Sequence, residues 1–268
     1  MIFLLKLPSV LGALIAVLLS LACTCALFIS AHFLLGGRRS SETTTFAQQM
    51  ALRIGTMHAL VVALVFSSLT AELIKLYKMS DAEAISAANI YYILKYSPAE
   101  EAARLRPLIP LYLKTVLEQD WEELSAMPHG LPAWELISKM QGITLNWKTT
   151  TSSDEMLKNY VFDNLNTVAE KRNQRVIEGQ APNLPTVFWV IAFTGYFLTL
   201  LPYLFVELST RRLLLICGYA ITIGIMFYGI VVLEKPFLSR SVKPTSFEVM
   251  YNDILAGSAL SPHGIQKK

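Results

Sequence analysis

The chain has 268 residues, of which 53% are hydrophobic and 16% charged, with a mean hydropathy of +0.45. A soluble domain carries roughly a quarter charged residues, so this deficit excludes an ordinary water-soluble fold. The formal net charge of +3 conceals a split: 12 basic and 15 acidic residues lie between positions 71 and 185, against 11 basic and 5 acidic elsewhere.

The basic excess therefore flanks the apolar segments, as beside anionic lipid. No basic patch interleaves with aromatics in the polar part, so no nucleic-acid partner is expected. Cys23, Cys25 and Cys217 all fall in apolar runs and read as buried membrane cysteines. Cys23-Thr24-Cys25 lacks redox-motif spacing, and no disulfide framework is implied.

The first apolar run, after Lys6, continues from Val10 to Leu35 and stops at Gly36-Gly37-Arg38-Arg39. It is too long for a signal-peptide core and predicts a membrane span, which needs about 20 apolar helical residues. A second span runs from Ile54 to about Thr70. No Pro or Gly follows until Pro98, which predicts one long helix continuing past the lipid to about Tyr96. Pro185 opens a third span reaching Leu208, with Phe188 and Trp189 at one interface, Tyr203 near the other, and a kink at Pro202. A turn at Ser209-Thr210-Arg211-Arg212 leads into a fourth span, Leu213 to Leu233, antiparallel to the third.

Between the second and third spans lies a polar, helix-patterned insert. Pro98-Ala-Glu-Glu places acids in a first turn, where the helix dipole favours them. Leu105, Leu108, Tyr112, Val116 and Leu124 mark an apolar stripe, broken or bent at Pro107 and Pro110. A helix over Ala133–Trp147 follows the Pro/Gly-rich loop Met127–Pro132. Ser152 or Ser153 is then expected to cap a long helix, with Asp154 and Glu155 in its first turn and an incomplete stripe at Met156, Tyr160, Leu165, Val168 and Val176. The residues after Val242 read as a mixed tail with a disordered end.

Four spans put both termini and the insert on one side. Arg38, Arg39, Arg53, Arg211 and Arg212 concentrate in the two short loops and favour those loops as cytoplasmic.

The chemistry-bearing motifs are absent: no P-loop, no dinucleotide fingerprint, no nucleophile elbow, no HExxH. The four histidines have no cysteine pair beside them, so neither a metal nor a cofactor is expected, and the carboxylates of the insert, such as Asp120-Trp121-Glu122-Glu123, read as a solvated face. Only His32 and His58 are titratable within the apolar runs. Each reads as an interfacial residue near a span end or as a functional intramembrane group.

Small residues recur every fourth position: Gly12, Ala16, Ser20 and Thr24 in the first span, and Gly55, Ala59, Ala63 and Ser67 in the second. Such rows share a helix face and admit close helix approach. They serve either packing within one subunit, or a subunit interface or narrow pore. The corner Glu234-Lys235-Pro236-Phe237 ends the fourth span, because proline restricts Lys235 and removes a donor. Beyond a stop signal, it is a candidate docking corner, with Phe237 as the apolar anchor onto the insert and Glu234 paired to a basic group.

Several of these pieces together resemble the bestrophin-like domain family of bacterial membrane proteins, whose function is not known. They are the span ending in Arg38-Arg39, the second span running into a soluble helix, Ala99-Glu-Glu-Ala-Ala-Arg-Leu-Arg-Pro-Leu-Ile-Pro-Leu-Tyr, Glu118-Gln-Asp-Trp-Glu, Ala169-Glu-Lys-Arg-Asn-Gln-Arg, the hairpin closed by Arg211-Arg212, and Glu234-Lys-Pro-Phe followed by Val242-Lys-Pro-Thr-Ser-Phe. The family often carries an acid before the second span, where this chain has Thr43-Thr-Thr-Phe-Ala-Gln-Gln. True bestrophins are oligomeric anion channels whose second helix lines the pore. The resemblance thus implies a similar oligomer and puts the insert in the cytoplasm, opposite to the arginine count.

The expectation is an all-α membrane protein: spans one and two in residues 1–70, a soluble helical insert in 71–184, a span hairpin in 185–237 and a tail in 238–268. It is multi-pass in a lipid bilayer, by the resemblance a bacterial inner membrane, and non-enzymatic. It forms a homo-oligomeric ion channel, anionic before cationic, or else an accessory or scaffold subunit of a larger membrane assembly.

Overall fold

The computed structural model describes residues 7, 9–35, 41–121, 124, 132–180, 184–202, 209–239 and 241–259. Among them every regular element is helical: α1 (Ser9–Leu35), α2 (Ser41–Leu94), α3 (Glu100–Leu105), α4 (Leu108–Thr115) with a π-helical turn at Val116–Asp120, α5 (Pro132–Leu145), α6 (Ser152–Gln180), α7 (Thr186–Leu200), α8 (Thr210–Glu234) and α9 (Thr245–Ala259). The chain forms two compact units. The first comprises Met1–Leu73 and Pro182–Ser241; the second comprises Ile74–Ala181 and Val242–Lys268.

Among the described residues three helices are long and apolar enough to cross a membrane, over Ser9–Ser30, Thr45–Leu94 and Leu213–Glu234. α7 is apolar but has only 15 residues, about 22 Å at 1.5 Å per residue. Leu201 and Pro202 continue it as a tighter turn, and the stretch expected to complete it, with Tyr203, lies outside the described residues. α2 runs 54 residues without interruption, as the absence of Pro and Gly from its second half predicts, although it starts well before Ile54. Pro185 sits at the cap of α7, extended at φ −59° and ψ 143°, one position before the first helical residue.

In the first unit, α1 and α8 pack closely. A Cβ added at Gly224 would lie 2.9 Å from Val17 Cα and 3.1 Å from Ser20 Cβ, so only glycine fits. Ala16 and Ser20 of the first-span stripe belong to this contact, with Ser20 Oγ donating to Ala220 O at 2.8 Å, and Gly12 and Thr24 are buried. Hydroxyls in the apolar helices are satisfied locally, Thr24 by Ser20 O and Thr199 by Gly195 O. No water competes for such groups in hydrocarbon, so each needs a partner within the protein. Val62, Leu69, Leu184, Phe188, Ala192 and Ile230 form the apolar core joining α2, α7 and α8.

The second unit is a helical bundle, and the whole predicted stripe Leu105, Leu108, Tyr112, Val116 and Leu124 is buried in it. Each such Leu contributes about 1.5–3 kcal/mol by leaving water. Pro107 ends α3 and caps α4. Pro110 lies in the first turn of α4, where no backbone donor is needed. On α6, Leu165, Val168 and Val176 are buried, but Met156 and Tyr160 are exposed. The cap of α6 is Thr151, whose Oγ1 accepts from Asp154 N at 3.1 Å, one residue before the expected serines. The segment read as a tail folds into α9, because Phe247 and Ile254, two turns apart on one face, join the core of this unit. Ser246 Oγ donates to Asp81 Oδ1, and Lys95 Nζ to Gly257 O at 3.2 Å.

Candidate functional site

α2 has two different faces within the first unit. Its inner face carries His58, Val62 and Leu69, all buried. His58 Nε2 lies 3.1 Å from Ala192 O on α7, and Gly195 makes room for the ring: a Cβ there would come within 2.4 Å of His58 Cδ2. His58 is thus a helix-to-helix contact between α2 and α7. His32 falls within α1, but its side chain lies outside the described residues.

The neighbouring face holds the second small-residue stripe. Gly55 is half-covered, 3.5 Å from Thr199 Cγ2 for an added Cβ, whereas Ala59, Ala63 and Ser67 are exposed. Leu60 and Leu64 beside them are 63% and 64% exposed. Among the described residues, other helices therefore pack on Ala16, Ser20 and Thr24 of the α1 stripe and leave that of α2 exposed from Ala59 onward.

At the far end of α8, Glu234 is the last helical residue and Lys235 leaves the helix at φ −127°, ψ 69°, as the following proline requires. Pro236 and Phe237 are both buried in the turn that follows. Ser239 Oγ fastens that turn by donating to Val232 O at 2.8 Å.

The second unit hides an ionic cluster that periodicity alone did not reveal. Glu83 on α2 accepts from Arg175 on α6 through two bonds of 2.8 Å, Nε to Oε2 and Nη2 to Oε1. Tyr112 OH donates to Glu83 Oε1 at 2.6 Å. The Arg175 guanidinium lies over the Trp121 ring at 4.9 Å and the Phe247 ring at 5.6 Å, and Arg175 and Glu83 are both fully buried. A second pair joins Arg172 Nη2 to Asp120 Oδ2 at 3.1 Å, with Arg172 over Trp134. Asp120 Oδ1 accepts from Ala133 N and so also caps α5.

Charges enter such a core only when paired and hydrogen-bonded. Burial raises the Asp120 carboxyl above its ordinary range, and Arg172 only partly offsets this. Burial, aided by the Glu83 charge, holds the Tyr112 phenol well above its usual value. Burial pulls Arg175 down, but the facing Glu83 outweighs it and the net shift is upward. Two cations face two acids, so the cluster is neutral and ties α2, α4, α5, α6 and α9 of this unit together. This corrects the solvated-face reading of Asp120. The signal lay in α6, where Val161, Leu165, Val168, Arg172 and Arg175 keep one helical face, so the arginines continue the core stripe.

Among the described residues no group of His, Cys, Asp and Glu is arranged to hold a metal ion.

The sequence profile of the Bestrophin-like domain matches residues 18–247. The chain belongs to the bestrophin-like family. The match spans α1 to the start of α9 and includes the α2 stripe, the ionic cluster and the Glu234–Phe237 corner. No curated protein and no solved structure matches the chain.

Proposed function

We propose that this bestrophin-like protein is a non-enzymatic, four-span membrane protein that assembles as a homo-oligomer and conducts ions passively, anions before cations. α1, the first part of α2, α7 with its continuation, and α8 cross the bilayer, and the second unit is a water-soluble insert. Family membership and three long apolar helices support the membrane setting. The observation that carries the oligomer is the uncovered stripe Ala59, Ala63, Ser67 on α2. Bulky Leu60 and Leu64 suit lipid, whereas a row of small side chains gains most from a second helix, because close backbone approach drives association in lipid.

The alternative is an accessory subunit of a larger assembly. One observation favours it: the stripe offers no charged group to attract or select an ion.

Chloride efflux from protein-loaded liposomes, read beside the mass of the purified complex, separates the two. A homo-oligomer with efflux above that of protein-free liposomes is expected. A homo-oligomer without efflux removes the channel, and co-purification with unrelated chains at fixed stoichiometry supports the accessory reading.

A further inference from the structure

We draw no further inference here: the strongest candidate, the exposed apolar surface patch that Ile85 and Tyr92 on α2 and Tyr96 just beyond it form in the second unit, carries nothing, because nothing in the structure shows what covers it.

Discussion

α1 and the first half of α2 carry the same pattern and put it to different uses. In α1, Ala16 and Ser20 of the stripe meet α8, where the contact at Gly224 admits no side chain, and Thr24 is buried against Tyr196 of α7. In α2, the continuation Ala59, Ala63, Ser67 is exposed among the described residues. A four-residue spacing of small side chains thus marks a surface able to receive a helix, and only the fold decides whether the chain supplies that helix. The second half of α2 is a third case. There the buried face holds Leu76, Glu83, Ala87, Ile90 and Leu94, and the one charge among them is cancelled by Arg175.

The largest effect is expected where a charge is buried. Glu83→Ala strands Arg175 in the core and should cost about 3–5 kcal/mol, as for other broken buried pairs. Thermal melting of the detergent-solubilised protein reads this loss. The double replacement Glu83→Leu with Arg175→Met should recover most of it, and a double variant as unstable as the single would show that the pair does more than neutralise itself.

Next is the α1–α8 contact. Gly224→Val forces a side chain onto the α1 backbone and should cost about 1–3 kcal/mol or more by overpacking. Gly218→Val on the same helix meets open space and should leave the melting temperature nearly unchanged. Equal effects from the two would mean that α1 does not approach α8 at Gly224.

The smallest effect is in pH dependence. The Asp120 carboxyl is raised in the folded state, so between its ordinary range and that raised value the folded chain holds more protons than the unfolded one. Stability from this group is therefore lost as pH rises through that window and regained as pH falls. Asp120→Asn should flatten this dependence of the melting temperature, and an unchanged slope would assign it to another group.

Much of the fold was legible in residues whose chemistry is local. Apolar length marked α1, α2 and α8, prolines marked the breaks around α3 and α4, and every member of the stripe from Leu105 to Leu124 is buried. The misses share a physical cause. Glu83 and Arg175, and Asp120 and Arg172, look solvated singly, and only a partner far along the chain permits their burial. The capping error at α6 is one residue, because Thr151, Ser152 and Ser153 all have the capping hydroxyl. The uncovered stripe was legible as a packing surface, but its residence outside the chain's own core was not.

The central claim is that the α2 stripe is covered by another copy of this chain. The most direct test is the protein mass of the detergent-solubilised complex by light scattering, for wild type and Ala63→Leu. The wild type should be a defined multiple of the 29.9 kDa chain. Ala63→Leu should shift the population toward the single chain while its melting temperature as a monomer is maintained, because Ala63 is exposed among the described residues. A wild type that runs as one chain, or an Ala63→Leu complex of unchanged mass and stability, would contradict the claim.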